Sequence, residues 1–231
     1  MLDKDQIKNF WEAQSQKKNV SHESISNLEE DPGLVKLKID AEVSKVIPLI
    51  KKNLTSDNTL LDLGGGSGQW AIRFAQLLKN CTLVEFSEGM LSLAKKAAAL
   101  EGNNNIEFVH CPAQDFTSEK KFDFIWISGL LIYLNDDDVN KLLQNCYEML
   151  QPEGSLILRD GTGLGSAYQI QNQYSQILKQ NYSAFYRTSD DYINLFLQNK
   201  FKLISDEDMF EAGSPLNKWE QTRLRLYQFN I

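Results

Sequence analysis

Apolar residues along the chain fall into short runs separated by polar, glycine-rich or asparagine-rich turns, and the period of the runs alternates. Residues 1–33 are polar, with isolated Phe10 and Trp11, and end at Asp31-Pro32-Gly33, a strong turn signal. Leu34, Leu37, Ala41, Val43, Val46, Ile47 and Ile50 then recur at near-helical spacing, and Pro48 among them predicts a kink or a break. This pattern reads as a helical cap over residues 1–54 ahead of a main domain over residues 55–231. From residue 55 strands and helices alternate. Strands are predicted over 59–63, 81–86, 106–110, 122–128 and 155–159, with helices over 68–78, 90–100 and 139–150 between them. Further helices are predicted over 167–179 and 189–198, and two last strands over 201–204 and 222–230. Repeated strand–helix order implies an α/β fold, a parallel sheet covered by helices on both faces. The last two strands are expected to form an antiparallel edge hairpin.

Composition narrows the function classes. The 231 residues are 42% hydrophobic and 24% charged, ordinary for a globular chain able to bury a core. A net charge of −7 disfavours a broad nucleic-acid-binding surface, which needs a positive field. No apolar run is long enough to span a membrane, and the first residues, MLDKDQIKNFWEAQ, have no apolar signal core. Cys81, Cys111 and Cys146 are scattered without a CxxC, which reads as reduced thiols in a cytoplasmic protein. With only His22 and His110 and no HExxH, no metal is expected.

The chemistry concentrates in TLLDLGGGSGQW, residues 59–70. The glycines follow a strand and precede a helix, where a parallel sheet places its ligand. The dinucleotide pattern G-x-G-x-x-G, counted from Gly64, fails at Gln69, and the Gly-Lys-Ser/Thr ending of a phosphate loop is absent. What is present is Asp62-x-Gly64-x-Gly66-x-Gly68. Glu85 closes the second strand, where a carboxylate can accept both hydroxyls of a ribose and would repel a 2′-phosphate. The ligand therefore reads as a nucleoside with a free ribose.

LLDLGGGSG followed by VEFSEGML resembles the class I S-adenosylmethionine-dependent methyltransferases, over roughly residues 55–160. The resemblance implies a Rossmann-like, seven-stranded, mostly parallel sheet with an antiparallel last strand. It implies S-adenosyl-L-methionine as cofactor and S-adenosyl-L-homocysteine as product. Carried over by position, Gly64, Gly65, Gly66 and Gly68 shape the loop against the methionine part, and Asp62 lies near its amino group. Glu85 holds the ribose, Phe86 and Met90 flank the adenine, and Ala113 and Gln114 contact the ring. Gln114 or Asp115 partners the adenine amine, and Ser128 faces the sulfonium.

The acceptor is expected over the ends of the fourth and fifth strands, in SGLLIYL and RDGTG. Ser128-Gly129-Leu130-Leu131 is not the Asn/Asp-Pro-Pro-aromatic motif of DNA and glutamine methyltransferases, and Ser128 does not match the metal carboxylates of catechol-type enzymes. Tyr133 and Asp160 are the candidate catalytic residues. Tyr133, Arg187 and Tyr186 are candidates for acceptor binding, with Tyr182 as a further wall and Arg187 facing an anionic group. Ser189 with Asp190 and Asp191 reads as a helix start. The implied activity is methyl transfer to an O or N of a small molecule. Residues 122–160 also resemble the protein α-N-terminal methyltransferases. A non-catalytic cofactor-binding protein is a second class of reading, and a nicotinamide oxidoreductase is opposed by Gln69.

Overall fold

The computed structural model describes residues 1–17, 25, 31–52, 55, 57–176 and 178–231; His22 and residue 54, the expected end of the cap, lie outside the described residues. Helix α1 (Lys4–Ser15) is capped by Asp3, whose side chain accepts from the backbone N–H groups of Asp5 and Gln6. Helix α2 (Pro32–Lys51) begins at the Asp31-Pro32-Gly33 turn. Asp31 Oδ1 accepts from Leu34 N at 2.8 Å, and proline occupies a first-turn position, where its missing N–H costs nothing. Of the kink or break expected at Pro48, the break does not occur. Pro48 sits in the last turn of α2, and Val46 and Ile50 around it are fully buried against the sheet, so packing holds the helix through the proline.

The main sheet contains seven strands in the order β3-β2-β1-β4-β5-β9-β8. Strands β1 (Thr59–Leu63), β2 (Asn80–Glu85), β3 (Ile106–His110), β4 (Phe122–Ser128) and β5 (Leu150–Gly163) run parallel. Strand β9 (Thr222–Asn230) enters antiparallel between β5 and the edge strand β8 (Lys202–Asp208). Helices α3 (Gln69–Ala75), α4 (Glu88–Leu100), α5 (Asp136–Met149) and α6 (Ser189–Gln198) connect and cover the strands. The strands β1 and β4 are buried nearly throughout, as a sheet covered on both faces requires. One core joins α5 and α6 to the sheet through Leu61, Ile127, Leu142 and Phe196. The other joins α2 and α3 to the opposite face through Ile50, Phe74, Trp126 and Leu226.

Two expectations change. The helix expected over 167–179 is instead part of a two-stranded hairpin, β6 (Tyr168–Ser175) with β7 (Gln180–Tyr186). Ile170, Tyr174 and Leu178 do recur at helical spacing, but Tyr168 and Ile170 also alternate with glutamine. Pairing with β7 then decides, because it buries Leu178, Tyr182 and Ala184 against α1. The cap of α6 is Thr188 rather than Ser189: Thr188 Oγ1 accepts from Asp191 N at 3.1 Å and Asp191 accepts back from Thr188 N at 2.9 Å. No described helix is long and apolar enough to cross a membrane. All three cysteines are free thiols, Cys81 and Cys146 buried and Cys111 half-buried.

Candidate active site

The parallel strands end along one edge of the sheet, and a cavity of about 610 Å³ opens there, within the range that holds small ligands. Asp62, near the end of β1, is 1% exposed, and its Oδ2 has no hydrogen-bond partner among the described residues. Burial pushes its carboxyl up to about 8, against the pull of the Ala71 N–H and with a further push from Glu85. Glu85 ends β2. Its Oε1 accepts from Ser87 N at 2.8 Å and its Oε2 from Gly66 N at 2.9 Å. Burial pushes it up to about 7, against the Ser87, Gly66 and Phe86 N–H groups. Two buried carboxyls held above their ordinary range beside a cavity make a place for hydroxyl or ammonium groups.

The loop between them is built for close approach. Gly64, Gly65 and Gly66 line the cavity. Gly66 has φ +55°, and a Cβ there would meet nothing within 4 Å, so its face opens to the cavity. Gly68 does something else: at φ +87° it starts α3, and a Cβ would lie 3.1 Å from the Ala94 Cβ of α4, so it serves helix packing rather than the cavity wall.

Phe86, Met90, Ala113, Gln114 and Ser128 also line the cavity. Asp115 does not; it pairs with Lys141 on the surface at 2.6 Å. Ser128 Oγ accepts from Arg159 Nη1 at 3.0 Å.

A cluster of phenols forms the wall beneath α1. Tyr133, Tyr182 and Tyr186 line the cavity, with hydroxyls 3.3 Å and 3.1 Å apart in sequence, and Trp11 meets Tyr133 edge-on at 5.4 Å. Burial pushes all three phenols well above their ordinary range, so at neutral pH they donate and accept hydrogen bonds but take no proton. Gly161 makes room for this cluster, since a Cβ there would lie 2.7 Å from Tyr186 Cε1.

Asp160 borders the cavity, yet its oxygens are engaged. Oδ2 accepts from Leu131 N at 2.8 Å and Ile132 N at 3.3 Å, and Oδ1 from Gly161 N at 2.9 Å. Burial pushes the carboxyl up to about 7 despite these bonds and the nearby Arg159 and Arg187. Asp160, expected as a candidate catalytic residue, thus lines the cavity and is tied by these bonds to the turn that carries Tyr133. Arg187, expected to face an anionic acceptor, does not reach the cavity wall. It is 1% exposed; Nη1 donates to Leu131 O and Nη2 to Leu134 O, each at 2.8 Å, and Nε donates to Asp136 at 2.9 Å. Its donors are spent on the same turn that Asp160 holds.

Helix α1 straps across the mouth. Glu12 accepts from the N–H groups of Glu88 (2.9 Å) and Gly89 (3.3 Å) at the start of α4. At its other end Leu2 N donates to Asn135 Oδ1 at 2.8 Å, and Lys4 pairs with Asp138 at 2.7 Å, both at the start of α5.

Sequence reasoning missed Glu42, Arg159 and Trp219, which line the same cavity. Glu42 carried a signal: it precedes Val46 and Ile50 at four-residue steps, a charge on the buried stripe of α2. Arg159 lies within the RDGTG stretch, but its partner across the fold is not visible in one dimension. Among the described residues no group of three His, Cys, Asp or Glu side chains is placed to hold a metal.

Residues 60–154 match a family model described as a methyltransferase domain. The tRNA 5-carboxymethoxyuridine methyltransferase of Escherichia coli K12 is 37% identical over 102 residues, 43% of this chain and 38% of that protein. The human N-terminal Xaa-Pro-Lys N-methyltransferase 1 is 31% identical over 110 residues, 47% of this chain and 49% of that protein. The matches thus span half or less of these relatives. Among solved structures, the DhpI–SAH complex superposes with a TM-score of 0.68 at 15% identity, covering 96% of this chain and 92% of that one. With the β3-β2-β1-β4-β5-β9-β8 sheet and the glycine loop at its carboxyl edge, these findings show that residues 60–154 are similar to a methyltransferase domain and that the chain shares the fold of the DhpI–SAH complex.

Proposed function

We propose that this chain binds S-adenosylmethionine and transfers its methyl group to an O or N of a small-molecule acceptor. The observation that carries the reading is Asp62, a buried carboxyl beside the cavity with one oxygen unpartnered and its pKa raised to about 8. Such a group suits a ligand ammonium, which stabilises the ionised form and supplies the missing bond. Glu85 keeps acceptor capacity beyond its backbone bonds and would take the ribose hydroxyls. Gly64, Gly65 and Gly66 leave the loop side open to the methionine part. Phe86, Met90, Ala113 and Gln114 would flank the adenine, and Ser128 would border the sulfonium. When bound, the cofactor would supply a sulfonium-activated methyl open to in-line attack by an acceptor lone pair, the C–S bond breaking to leave the thioether of S-adenosylhomocysteine.

The protein's share of the work is positioning and exclusion of water. Tyr133, Tyr182 and Tyr186 orient the acceptor through neutral hydroxyls, and α1 closes the mouth as a lid. A small acceptor is supported by the cavity's size and by the enclosure from α1 and the β6–β7 hairpin. The three free cysteines support a cytoplasmic location. A protein N-terminal amine is the second reading, favoured by the 31% identity to the human N-terminal methyltransferase.

Calorimetry with S-adenosylhomocysteine tests the cofactor. Wild-type protein binds it, and Glu85→Ala weakens binding by about 1–3 kcal/mol through unmade ribose bonds. No binding by the wild type sinks the reading. Binding with no methyl transfer to any metabolite pool or N-terminal peptide would identify a non-catalytic cofactor-binding protein instead.

A further inference from the structure

Four polar side chains meet on one face of the sheet at its carboxyl edge. Asp62 of β1 pairs in register with Trp126 of β4, and Ser128, two residues on, pairs with Arg159 of β5. Residues two apart on a strand share a face, so Asp62, Ser128 and Arg159 project from the same side of β1, β4 and β5. Helix α2 covers that side and brings Glu42 to Arg159. All four residues line the cavity. Arg159 Nη1 donates to Ser128 Oγ at 3.0 Å, so the guanidinium leans over β4 toward β1, the strand that carries Asp62.

Two buried atoms in this group lack partners among the described residues, and they are of opposite kind. Asp62 Oδ2 is an acceptor without a donor, and Arg159 Nε is a donor without an acceptor. Glu42, 1% exposed, pairs with Arg159 Nη2 and offsets the guanidinium charge, yet leaves Nε unbonded. Each orphan is costly while the cavity is empty. A ligand that brings one ionic donor and one ionic acceptor, close together, satisfies both. An α-amino acid zwitterion is such a group, with its ammonium and carboxylate on one carbon. The methionine part of S-adenosylmethionine ends in that group, and Asp62 accounts only for its ammonium.

We propose that Arg159 receives the α-carboxylate of the cofactor, so that Asp62 and Arg159 hold the two ends of one zwitterion across β4. The inference rests on the methyltransferase reading and deepens it. Arg159 Nε–H gives the carboxylate a charge-assisted bond. Glu42 offsets the Arg159 charge, which limits its repulsion of a sulfonium near Ser128. The cradle selects by the amino-acid end: a nucleoside without the carboxylate binds weakly although its ribose and adenine contacts are intact.

Calorimetric titration of the full chain with three ligands tests this. S-adenosylhomocysteine carries both charges, its decarboxylated form (the S-adenosyl thiopropylamine) keeps the ammonium alone, and 5′-methylthioadenosine has neither. Wild-type protein should bind S-adenosylhomocysteine about tenfold or more tightly than the decarboxylated form. In Arg159→Met that preference should vanish while 5′-methylthioadenosine binds as before. Asp62→Asn should do the converse, removing the step between the thiopropylamine and 5′-methylthioadenosine. If Arg159→Met does not fold because Glu42 is left buried without its partner, Glu42→Gln combined with Arg159→Met removes both charges, and the same loss of preference is expected. Equal weakening of all three ligands marks a structural role and overturns the assignment. So does a carboxylate preference kept in Arg159→Met, or one lost in Lys38→Gln instead. In those cases S-adenosylhomocysteine still binds the wild type and the methyltransferase reading stands. No binding of S-adenosylhomocysteine to the wild type removes that reading and this assignment with it.

Discussion

Replacing Arg187 separates two roles that the sequence alone leaves open. An arginine reaching for an anionic acceptor would, when changed, raise KM and leave stability untouched. The guanidinium in the fold does different work: it closes the Leu131–Tyr133 turn by donating to the carbonyls of Leu131 and Leu134, and it lies 4.8 Å from the Phe185 ring centroid. Arg187→Met keeps much of the volume and removes every donor. The deeply buried Leu131 carbonyl then loses a charge-assisted bond worth about 1–3 kcal/mol and keeps only the 3.2 Å bond from Leu134 N, and the part-buried Leu134 carbonyl loses its guanidinium bond at the lower end of that range. The ion pair with Asp136 adds little, because that carboxylate is 63% exposed and screened by water. The expected loss is about 2–4 kcal/mol for Arg187→Met. For Arg187→Lys it is about 1–2 kcal/mol, since an ammonium cannot match the planar fork. Urea unfolding followed by far-ultraviolet circular dichroism measures both. A wild-type midpoint and slope in Arg187→Met, together with a raised KM, would refute the clamp and restore the acceptor-binding role.

Three other outcomes follow from the geometry. Asp62, Glu85 and Asp160 rise from ordinary values of 3.8, 4.5 and 3.8 to about 8, 7 and 7. Between about pH 4 and about pH 8 the folded ligand-free chain therefore keeps protons that the unfolded chain has released, and stability falls as pH rises across that window. Thermal unfolding from about pH 5 to about pH 9 should show this fall, with a shallower slope in Asp62→Asn; a Tm that climbs over the range contradicts the assignment. Gly161→Ala drives a Cβ to 2.7 Å from Tyr186 Cε1, so the ring must move and the chain of phenol hydroxyls breaks. Overpacking of this kind costs about 1–3 kcal/mol, and the shift is read from the Tyr186 ring resonances; unmoved resonances argue against it. Gly89→Ala places a Cβ 2.0 Å from Ser15 Oγ, which should lift the end of α1 from α4. Faster amide exchange along α1, with exchange in β1 and β4 unchanged, is the expected signature, and equal protection in the variant counts against the strap.

Much of the fold was legible because its signals are local. The alternation of short apolar runs with amphipathic segments names the five parallel strands and the helices between them. Asp31-Pro32-Gly33 announces the start of α2, since proline and an N-cap carboxylate act within one turn. The glycine loop and Glu85 could be placed because each ends a strand, and strand ends in a parallel sheet share one edge. The hairpin of β6 and β7 was not legible. Its residues satisfy both a helical and an alternating period, and burial of Tyr182 and Ala184 against α1 breaks the tie.

The site divides along the same line. The sequence by itself determined the residue types at the carboxyl edge of the sheet, and with them the reading of the ligand as a nucleoside. Only the tertiary structure decided how those side chains are used. Arg187 carries donors that suit an anion, but a guanidinium packed beside the Leu131 and Leu134 carbonyls binds them first. Asp160 is a buried acid beside the cavity, but three backbone N–H groups converge on it. Glu42 and Arg159 are 117 residues apart and become partners only when α2 lies against β5. Hydrogen bonding and desolvation act on what is near in space, and that nearness is set by the packing of whole elements rather than by the order of residues along the chain.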